Sequence, residues 1–557
     1  MSRRSLASPF NLACAAVIAL GCFVRARPVL LADFPLNDGG LFYLMTDELR
    51  HAHYRLPMYT EYNAARIPFA YSPFGFYVAG AVAEVTSGDL AQVVRLLPLA
   101  VSCATLIAFL MLARSMLSER VTVVAAVAAF ALVPRSFTWL VMGGGLTRAF
   151  GVLFTILALH QAYLLFTRRR LRFAQTAGLF TGLTVLSHLG TAPFLATSLA
   201  LFFIAYGRHK HGLIGAAIIG VVAVAVSAPW WMTVAANHGF EPFLAAGQTG
   251  GSIFSSDGQR RSVLGRLVRF GAMTASEPFF PVIGALAVLG ALSSVLRRAV
   301  LIPSWWIVTL ALDARAGSTY MTLPLSLLAG IGVSDVLLPL LMRRPERVGA
   351  GQSVSPERKM RVRRWPPLPA AYTRAPERWI AGAALGVLVV YCTLAALTRD
   401  ADFGTEGAYL VSLPRSQRDA MRWVASHTPP TSRFLVVSEE GWATDKAAEW
   451  FPVLARRPSV TTVQGTEWLP GRRFTHHAKF HDAARGCANR DARCLDQWSD
   501  ASGLAFSHIF IPKAPAGACC GQLSASLRSD PDYELVYDGP GAEIYARSGA
   551  EVATWTR

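Results

Sequence analysis

Apolar runs long enough to cross a bilayer recur along this chain as far as Ala395 and then stop. They predict about eleven spans, centred near Val17, Leu106, Val127, Ile156, Gly182, Leu199, Val222, Leu286, Ile307, Leu328 and Val387. One apolar stretch, from Ala70 to Ala83, ends too soon before Glu84 for a span and reads as an interfacial or re-entrant helix. Counting it as a span would invert the sidedness of every later Arg cluster. The segment from Met1 to Leu31 has the outline of a signal peptide. No small-residue cleavage site follows Val24, and Arg25 and Arg27 stand where one would be, so it reads as a retained anchor whose two arginines snorkel to the headgroups.

Beyond Thr398 the pattern changes to short alternating segments. Gln417 to His427 reads as a helix, Arg433 to Ser438 as a strand, Thr444 to Ala455 as a helix and His508 to Pro512 as a strand. Gln522 to Arg528 is helical, and Tyr533 to Tyr537 pairs with Glu543 to Arg547. The expected architecture is therefore an α-helical polytopic membrane domain over residues 1–398 and a soluble α/β domain over 399–557.

Composition supports the membrane reading. Of 557 residues, 53% are hydrophobic and 16% charged, and the mean hydropathy is +0.37. The formal charge of +18 comes from Arg and Lys concentrated at alternate loops: Arg3 and Arg4, Arg114 and Arg120, Arg168 to Arg172, Arg208 and Lys210, Arg297 and Arg298, and the stretch 343–378. Alternating spans put all of them on one side, the cytoplasm, so the charge expresses orientation and argues against a nucleic-acid partner. The N-terminus is then cytoplasmic and the tail periplasmic or extracellular, on an inner or plasma membrane. Cys487, Cys494, Cys519 and Cys520 would lie in an oxidising compartment. Cys487 to Cys494 is the favoured local disulfide, because the spacing lacks the paired short knuckles of a structural zinc site.

Candidate chemistry starts in the first outer loop, where Asp33, Asp38, Asp47 and Glu48 follow the first span. Asp38 precedes Gly39-Gly40 and an aromatic pair; its bland role would be to cap a turn. A second outer loop carries Gly143-Gly144-Gly145-Leu146-Thr147-Arg148. The longest outer loop runs from Pro229 to Glu277, and Val263 to Phe270 within it reads as a surface helix. His188 lies inside the membrane part and is a site candidate on that ground. His476, His477 and His481 have metal-like spacing in what reads as an exposed run. No dinucleotide fingerprint, phosphate loop or H-E-x-x-H motif occurs.

The layout resembles the GT-C superfamily of integral-membrane glycosyltransferases, which includes protein O-mannosyltransferases, aminoarabinose transferases and the catalytic subunit of oligosaccharyltransferase. Four places carry the resemblance: Asn37-Asp38-Gly39-Gly40-Leu41-Phe42-Tyr43, Tyr71-Ser72-Pro73-Phe74-Gly75-Phe76-Tyr77, Thr274-Ala275-Ser276-Glu277, and Asp313-Ala314-Arg315 with Tyr320. It implies a sugar donor on a polyprenyl phosphate and a lipid, glycan or protein acceptor at the outer leaflet. Asp38 and Glu277 would be the catalytic acids, sharing a divalent cation (Mg or Mn) if one is used. Arg315, Arg148, Tyr43, Tyr71 and His188 would bind substrate. The chain departs from the family where Gly145-Leu146-Thr147-Arg148 stands in place of a second-loop acid. The tail also lacks the Trp-Trp-Asp-Tyr-Gly motif, with Glu449-Trp450-Phe451-Pro452 in a comparable place. Two other readings remain open: a transporter or flippase of a lipid-linked precursor, and a degenerate scaffold of GT-C origin.

Overall fold

A computed structural model describes residues 8–249, 281–312, 317–342, 375–398, 410–513 and 519–548. Each of the eleven apolar centres lies inside a helix. Seven helices are long and apolar enough to cross a membrane: Pro9–Leu31, Leu90–Met116, Gly145–Arg168, Leu189–Gly207, Lys210–His238, Thr322–Met342 and Trp379–Thr398. Val127, Gly182, Leu286 and Ile307 fall in shorter helices, Arg120–Leu132, Arg172–Ser187, Val282–Leu296 and Leu301–Leu312. The first of these stops early for a local reason. Val133 precedes Pro134, whose ring disfavours helical geometry in the residue before it, and Val133 is extended. The protein is a multi-pass membrane protein.

Small residues bring these helices together. A Cβ on Gly182 would come within 2.6 Å of Val226 Cβ, and one on Gly178 within 2.7 Å of Val222 Cβ, so Arg172–Ser187 packs closely along Lys210–His238. Arg25 does not snorkel, as its position near a span end suggests. It is fully buried. Its guanidinium donates to Ser102 O at 2.7 Å and to Thr105 Oγ1, Phe130 O and Ser136 Oγ at 3.3 Å. The charge is thus spent on tying three helical segments together, since an unpaired one could not remain there.

Helix Gly40–His51 carries the first loop onward to a short hairpin, β1 (Tyr59–Thr60) with β2 (Ile67–Pro68). The apolar stretch read as interfacial forms helix Phe74–Thr86, packed on Gly40–His51, Leu90–Met116 and Gly145–Arg168.

The tail holds a four-stranded sheet in the order β3 (Phe434–Val436), β4 (His508–Pro512), β6 (Ala542–Arg547), β5 (Tyr533–Asp538). β3 runs parallel to β4, and the other pairings are antiparallel. Period-two alternation divides its side chains. Leu435, Ile509, Ile511 and Tyr545 enter one core, and Phe434, Val436, Phe510 and Ile544 the other. The second core also takes Phe34 of the first loop and Trp450 of helix Lys446–Leu454, whose rings lie 4.5 Å apart.

Helices Arg473–Arg485 and Ala492–Ser502 were not among the expected elements. Cys487 is joined to Cys494, with Cα atoms 5.6 Å apart, and Cys519 to Cys520. The histidine run is a helix, and His481 is buried in it, its Nε2 3.1 Å from Asp445 Oδ2. Among the described residues no three His, Cys, Asp or Glu side chains gather as a metal site.

The tail is clamped to the first loop. Asn37 N donates to Val411 O at 2.9 Å, Tyr62 OH to Glu449 O at 2.6 Å, and Asn63 exchanges two hydrogen bonds with the Ser459 backbone. Asp33 is used in this clamp, paired with Arg418. Its carboxylate therefore serves docking rather than the cavity described next.

Candidate functional site

A cavity of about 900 Å³ opens between the membrane helices, the first loop and the tail. Asp38 stands on its wall, and the backbone around it explains why. Asn37 has φ 52° and Gly39 φ 122°, a turn that ends as helix Gly40–His51 begins. The glycines of the second loop press directly on this turn. A Cβ on Gly143 would collide with the Asp38 carbonyl oxygen, and one on Gly144 with its carboxylate. That closeness lets Gly144 N donate to Asp38 Oδ1 at 2.7 Å. Arg148, one turn into helix Gly145–Arg168, reaches Asp38 Oδ2 at 2.9 Å. The guanidinium lies over the Trp139 ring, 5.1 Å from its centroid. Both groups stay partly open to the cavity, at 15% exposure for Asp38 and 25% for Arg148.

The second loop therefore brings a cation and a backbone donor to Asp38 where a second acid was the family expectation. Both Asp38 oxygens already accept from protein donors, and no further acid among the described residues completes a ligand set. The described residues do not by themselves supply a divalent-ion site. Glu277, its expected partner, lies outside the described residues, as do Arg315 and the segment from Val263 to Phe270.

The structure gathers Tyr71, His188 and Arg148 on the cavity with Asp38, and Tyr320 joins them. His188 Nδ1 lies 2.9 Å from Thr191 Oγ1, which lies 2.9 Å from Tyr320 OH. Tyr43 is not in the lining. One residue along a helix is a rotation of about 100°, so Phe42 faces the cavity and Tyr43 turns to Trp450, 6.2 Å between ring centroids. Glu48 also turns away, accepting from Thr60 Oγ1 at 3.1 Å and Glu61 N at 2.7 Å.

Two tail acids complete the wall, and the sequence reading assigned neither a site role. Glu449, 4% exposed, accepts from Gly39 N at 2.8 Å and Gly40 N at 3.1 Å through Oε1. It thereby satisfies free N–H groups at the start of helix Gly40–His51. Its own helix is fixed by Asp445, which caps Ala448 N at 2.9 Å and is held by Ser438 and His481. Burial, and next the nearby Asp38 carboxylate, push the Glu449 carboxyl up to about 8. Glu467 accepts from Tyr71 OH, and burial pushes its carboxyl up to about 7. The signal for Glu449 was the Glu-Trp-Phe-Pro motif; Glu467 has none, because it faces the cavity only through the docking of the tail.

No protein-family model matches the sequence, and no curated protein sequence does. Solved structures do. An oligosaccharyltransferase from Archaeoglobus fulgidus, in complex with an inhibitory peptide and a dolichol-phosphate, superposes with a TM-score of 0.56 at 13% identity, over 96% of this chain and 74% of its own. ArnT from Cupriavidus metallidurans bound to undecaprenyl phosphate gives 0.52 at 14% identity, over 97% and 99%. The arabinofuranosyltransferase AftD from Mycobacteria gives 0.58 at 17%, over 98% of this chain and 40% of that one. The chain has the GT-C fold. The order expected from the motifs, an acidic loop, a Pro-aromatic segment and then paired helices leading to an α/β tail, is the order observed.

Proposed function

We propose that this GT-C chain is a membrane glycosyltransferase that moves a sugar from a polyprenyl-phosphate carrier to a hydroxyl on an outer-leaflet lipid, glycan or protein. In this reading the N-terminus is cytoplasmic and the tail extracytoplasmic. The observation that carries the proposal is the Asp38–Arg148 pair on one large cavity, an acid and a guanidinium 2.9 Å apart and both partly open. The acceptor oxygen attacks the anomeric carbon while its proton passes to Asp38, and the bond from that carbon to the carrier phosphate breaks. Negative charge then develops on the phosphate, where Arg148 can receive it by a charge-assisted hydrogen bond. Arg148 would hold the base in place before the donor enters and turn to the phosphate afterwards. The two solved relatives that carry dolichol-phosphate and undecaprenyl phosphate support this class of donor. No step is routed through a cation.

The test is turnover of a radiolabelled polyprenyl-phosphate sugar by purified protein in detergent or nanodiscs, with a mixed membrane extract as acceptor. Transfer lost in Asp38→Asn supports the reading. Donor binding without transfer under any acceptor would favour the scaffold alternative, and carrier movement across a bilayer without transfer would favour the flippase.

A further inference from the structure

Away from Asp38, the same cavity is walled by the tail, and that wall has a composition of its own. Trp442 and Phe474 meet edge to face with centroids 5.4 Å apart, and Trp468 lies 4.8 Å from the ring of Tyr71. Gln464 joins them, its Nε2 donating to Trp442 O at 3.1 Å. Within this aromatic wall two polar atoms are buried without a partner among the described residues: Glu467 Oε2 and Trp468 Nε1. Trp468 is 4% exposed. A buried polar atom left unpaired is costly, and one acceptor and one donor on consecutive residues of a cavity wall call for a ligand that supplies both.

From this we infer that the tail wall is an acceptor subsite for a glycan, with Glu467 Oε2 accepting from a sugar hydroxyl and Trp468 Nε1 donating to a sugar oxygen. A hydroxyl carries one donor and two acceptor positions, so it matches this pair directly. Tyr71 holds the other oxygen of Glu467 by donating to it. The inference rests on the transferase reading and extends it: among lipid, glycan and protein acceptors it selects the glycan.

The experiment is binding of short α-arabinan, α-mannan and β-galactan oligosaccharides to the full-length protein in nanodiscs. It is read by saturation-transfer NMR and tryptophan fluorescence, beside Ser/Thr-containing peptides and undecaprenyl phosphate. At least one oligosaccharide should bind. Glu467→Gln and Trp468→Phe, which keep side-chain shape, should each weaken it about tenfold or more. Both variants should bind undecaprenyl phosphate as the parent does, which shows that they are folded. If no oligosaccharide binds, if only peptides bind, or if both variants bind glycan like the parent, the subsite is overturned. Failure of the parent to bind undecaprenyl phosphate would instead count against the donor reading, and leave the glycan result to stand or fall by itself.

Discussion

Arg148 Nη2 lies 2.9 Å from Asp38 Oδ2, joining the second loop to the first across 110 residues of sequence. The contact depends on two consecutive glycines, because any side chain at Gly143 or Gly144 would push the loops apart. It also defines what Asp38 can do. A carboxylate with a guanidinium on one oxygen and a backbone N–H on the other is oriented, and it can accept a proton once the arginine is drawn to a phosphate.

Asp38→Asn preserves the turn and the Gly144 contact while removing the proton acceptor. Transfer should fall on the order of a hundredfold to ten-thousandfold, with donor affinity kept. Asp33→Asn should cost far less, since Asp33 pairs with Arg418 in the docking clamp. Full transfer by a folded Asp38→Asn protein would overturn the catalytic assignment.

Arg148→Ala should weaken binding of polyprenyl phosphate about tenfold or more, the scale of a charge-assisted hydrogen bond. Lys479→Ala, at an exposed site in helix Arg473–Arg485, is the control and should change nothing. Titration of both variants with undecaprenyl phosphate decides the point. Equal affinities would remove Arg148 from the donor site.

Both Asp38 oxygens are engaged, so chelation by EDTA should leave turnover unchanged. Loss of activity in EDTA with recovery on adding Mn or Mg would show that Arg148 gives up its place to a cation, and would bring Glu277 back as a ligand.

The sequence made much of this legible, and the limits have physical causes. Span positions follow from the solvent: a bilayer demands long apolar helices, so the run lengths alone locate them. The place of Asp38 on the cavity was legible because glycines and aromatics beside the end of the first apolar run form a local pattern. Arg25 was misread, since a charge in a helix can snorkel or be buried and only the partners Ser102, Thr105, Phe130 and Ser136 decide between the two. Tyr43 was misread by one helical step. Glu449 and Glu467 reach the cavity through contacts with residues about four hundred positions away; the Glu-Trp-Phe-Pro motif marks the first, and no local pattern encodes the second.

Orientation has a direct test. Cysteine placed at Ser118, in the exposed turn between Leu90–Met116 and Arg120–Leu132, should be labelled only from the cytoplasmic side. Cysteine placed at Ser529, at the exposed end of helix Gly521–Ser529, should be labelled only from outside. Labelling of both from one side would refute the proposed sidedness.

The two tail acids predict a pH dependence of definite sign. Burial raises the Glu449 carboxyl to about 8 and the Glu467 carboxyl to about 7, above the ordinary value of 4.5. A folded state with raised carboxyl values holds more protons than the unfolded chain, so their contribution is fully present below about 4.5 and is lost as pH rises through 7 to 8. Thermal unfolding followed from pH 5 to pH 9 should show the parent losing stability as pH rises, and Glu449→Gln and Glu467→Gln should each flatten the slope. Glu449→Gln retains an oxygen to accept from Gly39 and Gly40, so it should also keep most transfer activity. Glu449→Ala leaves both N–H groups unpaired beside Asp38 and should lower turnover about tenfold to a hundredfold, the cost of an unsatisfied buried donor or two. A parent whose stability climbs over that pH range, with both Gln variants climbing in parallel, would show that the two carboxyls are ionised in the folded protein and that Glu449 holds the Asp38 turn as an anion.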